Sequence, residues 1–319
     1  MDFGGFMLRR TVVLLSLVAV AGCATKSPMS VTYQHDPWPL KTARGTKLDT
    51  QHFTIFTTVT DPTFHEAAVQ LAEAQYERFS ELIGMEPKQK MIVYIFSSPR
   101  QWAAFTQHRF SPELAGAYLR IRNGGYTSND IAALYMMGRY ATLTVMAHEL
   151  WHLYLNLAAV SEPVPAWINE GLASYFEAHE WDGKTPVFTP TKNLFRREQL
   201  SLALAQNRLF TLKELLNTNA GVVCRGSQER VLIYYAQLWG MIVYLQDPAS
   251  PYHKDFKQLL GELGTRTMTM KTRGYQTTVP DSENVGFGEA FFRMYISEDL
   301  ENFERDCRTY FQHLTGYSQ

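Results

Sequence analysis

The chain has 319 residues, 45% of them hydrophobic and 19% charged, with a formal net charge of −1. That apolar content is enough for one large core, or for one core with an annex. A balance this close to neutral carries no electrostatic footprint for nucleic acid.

Arg9 and Arg10 precede an uncharged apolar run from Thr11 to Gly22. The run is too short to cross about 30 Å of hydrocarbon as a helix, and it fits the apolar region of a secretory signal. Val20-Ala21-Gly22-Cys23 resembles a bacterial lipobox, which implies a signal peptide over residues 1–23 and lipidation of Cys23. The competing reading is an ordinary signal with an incidental cysteine. Several acyl chains anchor a protein stably at a membrane. Ala24 resembles the outer-membrane sorting pattern of Gram-negative lipoproteins, so the expected location is the bacterial cell envelope, lipid-anchored and facing the periplasm. Removing residues 1–23 takes away one acid and two bases and moves the formal charge from −1 to −2. No polybasic cluster adds lipid binding beyond that anchor. Residues 24–50 are polar, with Pro28, Pro37 and Pro39, and read as a flexible tether.

Phe53–Thr58 and Met91–Phe96 are β-branched and aromatic runs, predicted to be strands. Between them, Phe64, Ala68, Leu71, Phe79 and Leu82 recur at helical spacing over residues 63–84, with Gly84 as a stop. Ile131–Met137 is predicted to be a third strand. This order gives an α+β fold, a small sheet packed on helices.

His148-Glu149-Leu150-Trp151-His152 follows directly. Two histidines four residues apart share one helix face, so both imidazoles can bind one Zn²⁺. Glu149 points about 100° away around the helix, well placed to take a proton from water. Eighteen positions after His152, Glu170 in a second predicted helix supplies a third ligand. A His₂Glu set leaves the fourth position open, the arrangement of a catalytic zinc. The bland alternative is a helix with two incidental histidines. Pro165 suits the first turn of the second helix, and Gly171 inside it suggests close approach to the histidine helix. After Glu177 the chain reads as mostly helical. Gln228–Leu245 is apolar nearly all round and predicted to be buried, and a last helix is expected over Ser297–Leu314 with Ser297 as its N-cap. Residues 51–217 therefore read as one domain and 218–319 as a helical C-terminal subdomain. Cys224 and Cys307 either pair as a disulfide, as an oxidising compartment allows, or Cys307 is a buried free thiol. Neither lies in a Cys-x-x-Cys motif.

WINEGLASYFE, Trp167 to Glu177, resembles the third-ligand helix of gluzincin metallopeptidases, especially the aminopeptidase N-type branch. HELWHLYLN, His148 to Asn156, resembles their zinc helix, and the layout over residues 50–245 is similar to the bacterial peptidase MA-like group. The likeness implies a thermolysin-like catalytic domain, with zinc on His148, His152 and Glu170 and Glu149 as general base. It implies that Ile131–Met137 is an edge strand that binds extended peptide by strand addition. Tyr235 resembles the tyrosine that hydrogen-bonds the oxyanion, with Tyr234 as the fallback and a plain core role as the alternative. Ser174 and Glu177 are candidate acceptors for the second nitrogens of the histidines.

Three departures qualify the likeness, the first being that the 17 residues between His152 and Glu170 are about one fewer than the family's usual spacing. Gly124-Gly125-Tyr126-Thr127-Ser128-Asn129-Asp130 lacks the glutamate with which aminopeptidases of that branch hold a substrate amine, so an endopeptidase is expected. The chain is also too short for their large amino-terminal β-domain. The expected substrate is a peptide or protein. A catalytically silent lipoprotein using the same fold as a binding module is the competing reading, and a zinc hydrolase acting on a cell-wall peptide is a third.

Overall fold

The computed structural model describes residues 31–39, 44–121, 124–159, 162–280 and 285–317. The signal-like segment, Cys23 and the start of the 24–50 stretch lie outside them. Among the described residues, no helix is long and apolar enough to cross a membrane. The fold is mixed α+β, with a small mixed sheet and a helical C-terminal part.

The sheet consists of β1 (Gln34–Pro39), β2 (Arg44–Asp49), β3 (Phe53–Thr57), β4 (Met91–Phe96), β5 (Gly125–Ser128) and β6 (Ile131–Tyr135). Their order is β1-β2-β3-β4-β6-β5, with β4 parallel to β3 and to β6 and the remaining pairs antiparallel. Parallel neighbours need a crossover. Between β3 and β4 it is α1 (Pro62–Ile83), capped by Asp61 and ended by Gly84 at φ +65. Between β4 and β6 it is α2 (Pro99–Arg109), α3 (Pro112–Tyr118) and the edge strand β5.

The stretch expected to be a tether is largely sheet. β1 pairs with β2 from Gln34↔Asp49 to Pro39↔Arg44, and Leu48 is fully buried. Prolines disguised it in the sequence, because an edge strand tolerates residues without an N–H. The expected edge strand is also corrected. β6 is paired on both sides, by β4 and β5, so the edge is Gly125–Ser128. β6 is buried throughout because both faces are covered. Ala132 and Leu134 join the main core, whereas Ala133 and Tyr135 join Phe96, Trp102 and Tyr126 in an aromatic cluster.

After the sheet come α4 (Arg139–Ala158) and α5 (Ala166–Tyr175), with Pro165 at the N-cap of α5. α4 packs on α1, β5, β6 and α5. A short hairpin, β7 (His179–Asp182) and β8 (Thr185–Phe188), follows before α6 (Leu194–Ala205), α7 (Leu212–Asn217) and α8 (Ala220–Val223). α9 (Gln228–Gln246) runs through the middle of the helical part, buried from Ile233 to Leu245 apart from Tyr235. α10 (His253–Glu262), α11 (Arg266–Thr278), α12 (Phe287–Tyr295) and α13 (Leu300–Thr315) complete the chain.

Gly171 serves a different neighbour from the expected one. A Cβ there would lie 2.6 Å from Ile242 Cγ1, so the close approach is between α5 and α9 and not toward the histidine helix. The last helix starts later than expected, at Leu300, with Asp299 as its cap. Ser297 instead accepts from the Asp299 N–H in the preceding turn. Cys224 and Cys307 are both free, one exposed and one buried, which removes the disulfide. The main core cluster, from Leu48 to Phe311, takes residues from both sides of the expected 217/218 boundary.

Candidate metal centre

On α4, His148 and His152 stand one turn apart, and their Nε2 atoms are 3.2 Å from each other. α5 brings Glu170 Oε2 to 3.5 Å from His148 Nε2 and 3.3 Å from His152 Nε2. A tetrahedral site with metal–ligand bonds of 2.0–2.1 Å has ligand–ligand edges of about 3.3 Å. The three atoms therefore outline one face of such a site. Among the described residues this is the one group of three or more His, Cys, Asp or Glu that could hold a metal ion. The side chains of His148, His152 and Glu170 keep 13%, 14% and 16% exposure.

The outer nitrogens fix where the protons go. Trp151 Nε1–H donates to Asn169 Oδ1 at 3.0 Å, which identifies that atom as an acceptor. His152 Nδ1 also lies 3.0 Å from it and so must donate. His148 Nδ1 lies 3.0 Å from Glu177 Oε1, again an acceptor. With both Nδ1 positions protonated, neutral imidazoles turn two Nε2 lone pairs toward each other. Glu170 Oε2, buried and without a hydrogen-bond partner, adds a third. Only a cation or extra protons can reconcile three converging electron pairs. The residues fit a divalent metal of the zinc type.

Glu177 is itself held. Arg196 donates to both of its oxygens, at 2.9 and 2.7 Å, and Asn193 Nδ2 donates to Oε2 at 2.9 Å. Burial alone would raise the Glu177 pKa, but the Arg196 charge and the His148 bond outweigh it and bring the carboxyl down to about 2. Burial likewise disfavours charge on His148, yet the neighbouring carboxylates of Glu170 and Glu177 raise it to about 10. His152 is raised in the same direction, mainly by Glu170. Without metal, the site therefore stores protons. Glu170 is correspondingly held far below the ordinary carboxylate range by the two histidines, against the effect of burial.

Glu149, the residue after His148 on α4, lies buried against β5. Thr127 donates to its Oε2 at 2.8 Å. Tyr235 sets its ring edge-on to His148 with centroids 5.7 Å apart, under the Arg196 guanidinium at 5.1 Å. Burial first, and Glu170 next, push its pKa well above 10, so the hydroxyl remains a proton donor. Tyr234 is fully buried, packs on Phe210, and leaves its hydroxyl without a partner.

The structure thus brings together His148, His152, Glu170, Glu149, Glu177 and Tyr235. It does not give Ser174 the expected role, since its hydroxyl is buried with no hydrogen-bond partner. Asn169, Asn193, Arg196 and Thr127 were not visible as site residues. Asn169, adjacent to Glu170, carried a usable signal, because neighbouring helix positions reach neighbouring ligands. Arg196 carried none. No protein-family model matches the chain, and no curated protein matches it.

Proposed function

We propose that the chain is a zinc-dependent metallopeptidase of the gluzincin type, similar to the peptidase MA-like group and built on a thermolysin-like arrangement. We further propose that it is an endopeptidase of the bacterial envelope, anchored through Cys23. The observation that carries the reading is the triangle of ligand atoms with edges of 3.2, 3.3 and 3.5 Å, with both Nδ1 atoms turned outward to oxygen acceptors. An edge strand beside the histidine helix and a carboxylate one position along that helix add support.

When bound, the metal supplies Lewis-acid polarisation of a carbonyl and makes water a usable nucleophile at neutral pH. Glu149 takes the proton of the attacking water and returns it to the leaving amine. The Tyr235 hydroxyl, kept protonated by its surroundings, donates to the oxygen on which negative charge develops. Asn169 and the Arg196-backed Glu177 hold the two imidazoles in the tautomer that the ligand role needs. β5 offers unpaired main-chain groups to an extended peptide, and it carries no acid to select a free amino terminus.

The test is a metal analysis of the purified chain, then cleavage of a mixed peptide library with and without chelator. Stoichiometric zinc with chelator-sensitive cleavage inside peptides is expected. Stoichiometric zinc without any cleavage would identify a silent binding module instead.

A further inference from the structure

Thr127 lies on the edge strand β5 and turns its side chain toward α4. Its hydroxyl is 2.8 Å from Glu149 Oε2 and 3.0 Å from the Glu149 carbonyl oxygen. Among the described residues, no other side chain hydrogen-bonds the Glu149 carboxylate. Gly125 lies two residues before Thr127 on the same face of the strand. A Cβ there would stand 2.9 Å from both Ala133 O and Leu134 Cβ of β6, and 3.4 Å from Glu149 Cγ. The face of β5 that carries Thr127 therefore packs against Glu149.

We propose that Thr127 is a positioning residue for the general base, tying Oε2 of Glu149 to the edge strand and leaving Oε1 to take the proton. The proposal rests on the role given to Glu149 above. A glutamate on a helix can sample several rotamers, whereas a general base must stay within hydrogen-bond reach of the proton it abstracts. One threonine proton serves one acceptor at a time. Of the two acceptors, the carboxylate oxygen lies closer, at 2.8 Å against 3.0 Å for the carbonyl. The base is therefore anchored from the strand that borders the site and not from its own helix. Among the described residues, the Thr127 hydroxyl bonds only Glu149 and none of His148, His152 and Glu170, so its loss leaves the metal set intact.

The experiment compares Thr127→Val, which removes the hydroxyl, with Thr127→Ser, which keeps it. Thr127→Ala replaces the valine variant should that one fail to fold. In the metal-free chain, the ¹³Cδ resonance of the Glu149 side chain is followed, assigned by its loss in Glu149→Gln. In the zinc-loaded chain, zinc content, KM and kcat are measured on one library peptide. Thr127→Val is expected to move the resonance, keep zinc content and KM, and lower kcat about 10- to 100-fold, as a misplaced catalytic group does. Thr127→Ser is expected to match the wild type in all four. An unmoved resonance in Thr127→Val overturns the proposal, as does a moved resonance with unchanged kcat. Equal damage from valine and serine also overturns it, since packing of the methyl would then be the cause. If the wild-type chain cleaves no peptide, the peptidase reading falls and the base role with it, while the resonance still reports whether the Thr127–Glu149 bond exists.

Discussion

Glu170, Glu177 and the two histidines share a small number of protons, and the sign of each pKa shift says how metal must compete for them. The neighbouring carboxylates of Glu170 and Glu177 raise His148 to about 10 despite its burial. Zinc binding near neutral pH must therefore expel at least one proton from the site. Apparent zinc affinity should rise about tenfold per pH unit between pH 7 and 8.5, where an ordinary histidine would already be neutral. Competition titrations against a chromophoric chelator measure this, and a flat profile over that range would refute the proton storage. For the metal-free protein the signs are opposite for base and acid. The contribution of His148 to stability is present below its unfolded pKa and is lost as pH rises through about 10. That of Glu177 is present above its unfolded pKa and is lost as pH falls through about 2. Glu149→Gln should keep full zinc content and lose about 10²- to 10⁴-fold in kcat, the usual size of a general base contribution. Persisting cleavage in a clean preparation would remove Glu149 from that role.

Elements meet at the centre through contacts of unequal visibility. The pairing of α4 with α5 was legible, because an HExxH spacing and a lone Glu in a second helix leave few other chemical readings. The anchoring by α6 was not. Arg196 reaches Glu177 across 19 residues of chain through a hairpin, and no local pattern announces such a bond. Their side chains are 12% and 5% exposed, so Arg196→Ala strands a buried carboxylate. The expected cost is about 3–5 kcal/mol of stability, with zinc affinity falling about 10- to 100-fold as the His148 tautomer loosens. Denaturant unfolding of the metal-free chain, run beside zinc titration, separates the two effects. Wild-type values in both would show the ion pair to be dispensable. β5 escaped prediction because four residues are too few for a periodicity. The turn after it was the available signal, with Asn129 at φ +51, a left-handed conformation asparagine tolerates. β1 and β2 escaped because polarity and proline, which suggest a tether, also suit a sheet edge.

At the scale of the whole molecule, the sequence suggested a catalytic domain with a helical C-terminal subdomain, and one core cluster draws residues from both. α9 carries Tyr235 beside His148 while Ile242 on the same helix receives Gly171. The annex thus forms one wall of the centre. Periodicity marks which face of a helix is apolar, but not which partner covers it, so the shared core was not readable from the chain. A fragment ending at residue 217 should fail to fold, and its amide spectrum should show collapsed dispersion. A well-dispersed spectrum would restore the two-domain division. Because Cys224 and Cys307 are both free, reductant should leave the melting temperature of the full chain unchanged.

X-ray absorption on the zinc-loaded chain tests the metal assignment most directly. Expected are only nitrogen and oxygen neighbours at about 2.0–2.1 Å, with multiple scattering from two imidazoles, and loss of that pattern in Glu170→Ala. A sulfur neighbour near about 2.3 Å, or an unchanged spectrum in Glu170→Ala, would contradict the His148–His152–Glu170 centre.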